Sequence, residues 1–232
     1  MEWFQTWSAD FCYTFTRCFI KDDRYMLLLD GIGVTIRVSL VAVLIGIAIG
    51  LLIALCNLSS NKLLKVIGGI YTDVIRGTPS VTQLMIIYFV IFASVNLSKW
   101  IIAAIAFGIN SGAYVSEIIR AGILSVDKGQ TEAGRSLGLS ASQTMTRIVI
   151  PQAVKNIFPA LCNEFIVLIK ETAIVGYVGL MDIQKAGDFI KSATFEAFMP
   201  LIGTAIIYYV LIKILTLVLN RIESRLRASE VR

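Results

Sequence analysis

Between Leu27 and Leu55 the chain carries only two charged residues, Asp30 and Arg37, in an otherwise apolar run. Each helical residue rises about 1.5 Å, so roughly 20 such residues cross a hydrocarbon layer. A run of this length reads as a membrane-spanning helix, and four more apolar stretches follow it. They run from Ser80 to Val95 (preceded by a mixed segment, Asn61 to Ile75), Lys99 to Ile119, Val154 to Gly176 and Phe198 to Leu219. A hydrophobic fraction of 56% over 232 residues exceeds what a soluble domain needs. The expectation is a single all-α integral membrane domain with five transmembrane helices.

Charge sets the orientation. Lys62, Lys65 and Arg76 lie between the first two spans, Arg120, Lys128, Arg135, Arg147 and Lys155 between the third and fourth, and Arg221, Arg225, Arg227 and Arg232 after the fifth. Basic residues gather in cytoplasmic segments, so the N-terminus is expected outside and the C-terminus inside. Residues 1–26 then form an extracytoplasmic segment, residues 27–225 the five-helix transmembrane domain, and residues 226–232 a cytoplasmic tail. The opening residues lack a basic n-region and a small-residue cleavage site, so the first span is read as retained. The net charge of +5 belongs to this topology, not to nucleic-acid binding. The chain has no His, and its Cys residues stand apart at Cys12, Cys18, Cys56 and Cys162, which excludes His-based acid–base chemistry and the common zinc ligand sets. Cys12 and Cys18 are read as apolar fillers.

The longest cytoplasmic loop, 124–151, is built rather than loose. Thr131 or Gln130 can cap a short helix from Glu132 to Leu137, which Gly138 breaks. Ser140 can cap a second helix from Ala141 to Ile148, which Pro151 is expected to end or kink. Two short helices at an angle on the inner membrane face are more often a docking element than a connector.

Glu132-Ala133-Gly134, three residues, Gly138, nine residues and Ile148-Val149-Ile150-Pro151 together resemble the "EAA" loop of ABC importer permeases. Gly134 replaces the usual third-position Ala, and Ile150 the usual Leu. The runs from Asp73 to Pro79 with Gln83, from Ala113 to Arg120, Gly129-Gln130, and from Asn163 to Thr172 are similar to the polar amino acid branch of that family. The resemblance spans roughly residues 25–225. It implies the type I importer permease fold, a location in the bacterial cytoplasmic (inner) membrane, and a partner ABC ATPase dimer. It also implies a second permease copy or sister permease and an extracytoplasmic amino-acid-binding protein. Glu132, Ala133, Gly134, Leu137, Gly138 and Pro151 are the expected ATPase-coupling residues, with Ala133 and Gly134 letting the partner's backbone approach closely. No Gly-x-x-x-x-Gly-Lys-Ser/Thr cradle occurs, so this chain is not expected to be an enzyme or to hold a cofactor; ATP and Mg would sit in the partner.

Charged residues inside a span default to a functional reading. On the fourth span, Asn163, Glu164, Lys170 and Glu171 fall within one sector about 120° wide, centred near Val167, at about 100° per residue. Entering at Val154, Asn163 lies roughly 13 Å deep and Lys170 roughly 24 Å. A carboxylate and an amide donor suit an ammonium and a carboxylate on one ligand, so Asn163, Glu164, Val167, Lys170 and Glu171 form the candidate substrate set. Thr78 and Gln83, at the broken Arg76-Gly77-Thr78-Pro79 segment, extend it, since interrupted helices offer free backbone N–H groups in transporters. Arg76 is the candidate inner gate. Lys170 and Glu171 also fit an outer interface, and Asn163 and Glu164 a contact between subunits. Arg37, inside the first span by sequence, is expected to snorkel or to pair across a subunit contact, and Glu117 and Arg120 to pair on one helix face. The alternative function is an ion-coupled secondary transporter using the carboxylates of the fourth span.

Overall fold

The computed structural model describes residues 2–228, with side chains described for residues 9–225. Every regular element among them is helical. A terminal helix α1 (Glu2–Phe15) runs through a π-helical turn (Thr16–Ile20) into the long helix α2 (Tyr25–Leu58). Next come α3 (Lys62–Arg76), α4 (Ser80–Ile86) with a π-helical turn to Ile91, and α5 (Lys99–Leu124). Two short helices, α6 (Lys128–Ser136) and α7 (Ala141–Thr144), precede α8 (Ile150–Glu171). The chain closes with a 3-10 segment (Thr172–Val178), α9 (Ile183–Thr194) and α10 (Phe198–Ala228).

Helices α2 and α5 cross at the centre, and glycine lets them do so. Gly46 and Gly50 on α2, and Gly108 and Gly112 on α5, are each one helical turn apart. A Cβ at Gly50 would lie 2.6 Å from Val115 Cγ1, and one at Gly108 would lie 2.6 Å from Ile45 Cβ. The notches are reciprocal, with α5 side chains seated on α2 glycines and the reverse. Lipid tails give no hydrophobic drive between helices, so close backbone approach supplies the packing. Around this seam Val38, Ala42, Ala103, Phe107, Leu84 and Leu168 are buried together.

Among the described residues, three helices are long and apolar enough to cross a membrane: Tyr25–Leu58, Lys99–Leu124 and Phe198–Arg225. A fourth element is broken, with α3 meeting the α4 segment at 104°. Pro79 lacks an N–H and bars its predecessor from helical geometry, so α3 stops at Arg76. Helix α8, with 22 residues, has the length to span but carries Lys155, Glu164, Lys170 and Glu171, which dilute its hydropathy. Beyond it the chain tightens into the 3-10 segment and ends at Gly179, whose φ of 70° is left-handed.

Several expectations need correcting. The cap of α6 is Asp127, whose carboxylate accepts from the Gly129 N–H at 2.6 Å, so the helix starts earlier than Glu132 and neither Thr131 nor Gln130 caps it. Ser140 does cap α7, in a reciprocal box with Gln143. Pro151 ends nothing: α7 passes through a π-helical turn (Met145–Val149) into α8, and Pro151 occupies the first turn of α8, where its missing N–H costs little. Arg37 lies exposed on the flank of α2. Helices α1 and α9 had no counterpart among the expected elements, and the expected tail, 226–232, lies outside the described side chains. Glu117 and Arg120 pair at 2.6 Å as expected.

Gly108→Ala should cost about 1–3 kcal/mol by overpacking the crossing. Gly33→Ala, where an added Cβ meets nothing within 4 Å, should be neutral. Thermal unfolding midpoints of the two variants in detergent check the contrast.

Candidate functional site

The middle of α5 holds two adjacent polar residues, Asn110 and Ser111, both buried. Each serves a different neighbour. Ser111 Oγ donates to Glu164 Oε1 of α8 at 2.8 Å. Asn110 Nδ2 donates to Gln83 Oε1 of α4 at 2.9 Å. One position earlier, the carbonyl of Ile109 accepts from the Tyr71 hydroxyl of α3 at 2.6 Å. Consecutive residues point in directions about 100° apart, so three successive positions of α5 gather three other helices into one polar layer.

The candidate substrate residues divide accordingly. Glu164 turns inward and is buried against Ser111, while Asn163 and Lys170 are exposed on the surface of α8. Val167 and Glu171 are half-buried between them. Thr78 and Gln83 meet each other across the break, Gln83 Nε2 donating to Thr78 Oγ1 at 2.6 Å and to the Ile75 carbonyl at 2.7 Å. Thr78 in turn donates to the Val74 carbonyl at 2.9 Å. The Gln83 amide is therefore engaged at both ends within the chain. Arg76 is exposed, with its guanidinium 5.4 Å from the centroid of the Tyr114 ring on α5, a cation–π distance. Asn110, Ser111, Tyr71 and Tyr114 were absent from the expected set. The adjacent pair Asn110-Ser111 inside an apolar span was the signal that could have found two of them.

The loop of α6 and α7 is a braced tip. The Leu139 N–H bonds to the Gly134 carbonyl at 3.1 Å and the Gly138 N–H to the Arg135 carbonyl at 3.1 Å, the Schellman closure of a helix. It needs a left-handed residue, and Gly138 supplies it with φ of 83°. Arg135 Nη1 adds a bond to the Leu139 carbonyl at 2.7 Å. Glu132 and Ala133 are exposed, and Leu137 at the tip is 82% exposed. Gly134, expected to face a partner, instead faces inward, where a Cβ would lie 2.8 Å from Ile148 Cδ1 and 2.9 Å from Thr144 Cγ2. It lets α6 seat on α7 and the π-helical turn that leads into α8. Pro151 is exposed in the first turn of α8.

A braced tip bearing an exposed leucine thus precedes a helix that meets a buried polar layer. Residues 46–228 match the family described as binding-protein-dependent transport system inner membrane component. The chain belongs to that family. It is 41% identical over 208 residues to a putative glutamine transport system permease of Rickettsia bellii, covering 89% of this chain and 95% of that one. It is likewise 41% identical over 205 residues to the arginine transport system permease ArtQ of Bacillus subtilis, covering 88% and 94%. A crystal structure of an amino acid ABC transporter with histidines superposes with a TM-score of 0.82 at 43% identity, covering 89% of this chain and 98% of that one. The MetNI methionine ABC transporter shares the fold at a TM-score of 0.75 and 18% identity, covering 87% and 96%.

Gly138→Val forces a β-branched residue into a left-handed position, at a cost of about 1–3 kcal/mol. The tip should loosen, and co-purification of the chain with its ATPase partner should drop or fail, as read from stained gels of the isolated complex.

Proposed function

We infer that this chain is the membrane-spanning permease subunit of an ABC importer that moves a polar amino acid inward, driven by ATP hydrolysis in a separate nucleotide-binding subunit. The observation that carries the reading is the braced tip, in which Leu137 stands exposed on a helix end closed by Gly138 and seated through Gly134 on α7 and the π-helical turn that leads into α8. A partner groove can grip such a tip, and the grip reaches α8 through that seat. Family membership and similarity to permeases named for glutamine and arginine support an amino acid as cargo.

In this reading five spans cross the bacterial cytoplasmic membrane: α2, the broken α3–α4 element, α5, α8 and α10. The N-terminus lies outside and the coupling loop and C-terminus inside, in line with the distribution of Lys and Arg. Five helices are too few to enclose a path comfortably, so a second permease copy or sister permease completes it. Two ATPase subunits holding ATP and Mg lie below, and an extracytoplasmic binding protein delivers the cargo above. Glu132, Ala133, Leu137 and Gly138 form the coupling surface, with Gly134 and Pro151 supporting it from within and from the first turn of α8. The exposed flank of α8, with Asn163, Lys170 and the edges of Val167 and Glu171, lines the path, and Glu164 lies behind it. Thr78 marks the inner end of that path, and Arg76 stands there as the gate.

Two experiments test this. Purified from the native membrane, the wild-type chain should bring an ATPase subunit with it and Glu132→Lys should lose it; an ATPase missing from the wild-type complex would falsify the reading. In proteoliposomes, Asn163→Ala and Glu164→Ala should assemble and keep basal ATPase while amino acid uptake falls. Unaltered concentration dependence of uptake in both would remove Asn163 from the path and Glu164 from its support.

A further inference from the structure

The break between α3 and α4 ought to be a weak point. A helix leaves its last four carbonyls without intrahelical donors, and a chain that turns within a membrane has little water to satisfy them. The last regular backbone bond of α3 closes on Asp73, and two of the carbonyls beyond it have side-chain partners, one from the turn and one from α4. The Asp73 carbonyl accepts from the Gly77 N–H at 2.9 Å, Val74 from the Thr78 hydroxyl at 2.9 Å, and Ile75 from Gln83 Nε2 at 2.7 Å. Carbonyls only accept, so the nitrogen of the Gln83 amide must face them and its oxygen must face away. That oxygen meets the Asn110 amide of α5. The donors therefore run in one direction, from Asn110 to Gln83 to Thr78 to Val74, with every partner's polarity matched. Gln83 is 9% exposed and Asn110 4%, so water competes little with either bond.

We propose that Gln83 and Asn110 are positioning residues that clamp the joint of the broken span onto α5, so that α3, α4 and α5 move as one body during transport. The two residues divide the task. Gln83 holds the bend, and Asn110 fastens the bend to α5. Tyr71, bonded to the Ile109 carbonyl one residue before Asn110, gives α3 a second attachment at the same level. The clamp thereby holds Thr78 and Arg76, at the bend, in a set position relative to α5. The proposal rests on the permease reading for its role in transport but not for its geometry.

The test uses the full importer complex in lipid nanodiscs, with the four native cysteines replaced by alanine. Spin labels go on Thr82→Cys of α4 and Ala121→Cys of α5, both exposed positions. Pulsed dipolar spectroscopy should give one narrow distance that is the same without nucleotide and with ATP trapped. Asn110→Leu strands the Gln83 oxygen and should broaden that distribution. Gln83→Leu should broaden it further, and adding Asn110→Leu to it should change nothing more, because Asn110 acts only through Gln83. In unlabelled complexes Asn110→Leu should lower uptake per ATP hydrolysed by about fivefold or more, with basal ATPase unchanged, as expected for losing one partner of a buried polar pair. A distance that shifts on ATP trapping overturns the one-body proposal even in a fully active importer. A narrow, unshifted distance in Asn110→Leu, or wild-type uptake per ATP, removes the clamp. If the unlabelled parent shows no ATP-driven uptake at all, the permease reading fails instead, and the distance widths still decide the clamp.

Discussion

Everything in this chain hangs on the close crossing of α2 and α5. Two helices surrounded by lipid gain nothing by hiding apolar surface from each other, so their stability depends on how near their backbones approach. Gly46, Gly50, Gly108 and Gly112 bring that approach about, and the side chains of Ile45, Ile49, Ser111 and Val115 fill the notches. This seam fixes the rotation of α5, and the rotation of α5 decides where Asn110 and Ser111 point. The polar layer is thus a consequence of the packing that surrounds it. A Cβ placed on the seam would displace α5 and with it the bonds to Gln83 and Glu164.

The layer shows how a membrane protein affords polar chemistry at depth. Each buried group in it has a partner of the correct polarity: hydroxyl to carboxylate at Ser111 and Glu164, amide to amide at Asn110 and Gln83, phenol to carbonyl at Tyr71 and Ile109. An unpartnered polar group in such surroundings costs more than a good bond gains, so the layer specifies one arrangement strongly. It also sorts the polar residues of α8 between interior and surface. Glu164 reaches Ser111 through one oxygen, and its neighbours Asn163 and Lys170 stay on the exposed flank of α8. The result is a helix with one face committed to the scaffold and the adjacent face open.

Much of this architecture was legible in the residues, for reasons that differ from part to part. Apolar runs announce long helices because the membrane demands length and hydropathy, which a sequence displays directly. The loop of α6 and α7 was legible in part because its glycine and one of its caps act locally: Ser140 caps α7 and Gly138 reverses the chain, as expected, whereas Asp127 caps α6 in place of Thr131 or Gln130. The misreadings arose where tertiary packing decides. Gly134 is small to make room for Thr144 and Ile148 of its own chain, and nothing in a local motif distinguishes that from room for a partner. Gln83 was grouped with substrate residues because it adjoins the broken segment, yet its amide is spent on Ile75, Thr78 and Asn110. Pro151 was expected to end or kink the helix; it does not end it, because it falls in the first turn of α8 just after a π-helical turn.

The connection from tip to polar layer depends on a feature that proline would ordinarily forbid. From Ala141 to Glu171 the backbone is helical without a gap, first as α7, then as a π-helical turn, then as α8. A π turn inserts one residue and shifts the face presented by everything beyond it. It also lets Pro151 fall in the opening turn of α8, where no earlier carbonyl depends on its missing N–H. Helix α6 is fastened to this rod at its base by the Gly134 notch, and the rod touches α5 again through Asn156, whose amide donates to Ser125 Oγ at 2.9 Å. Farther along, Glu164 meets Ser111. Leu137, at the end of α6, is therefore joined to the polar layer through the Gly134 seat and the continuous helix beyond it. The opposing body, built from α2, α5 and the broken span, is held by glycine notches and the Asn110–Gln83 amide pair. Among the described residues, the Ser111–Glu164 bond ties rod to body at a contact that is both polar and buried, so this bond sets how the two are seated on each other.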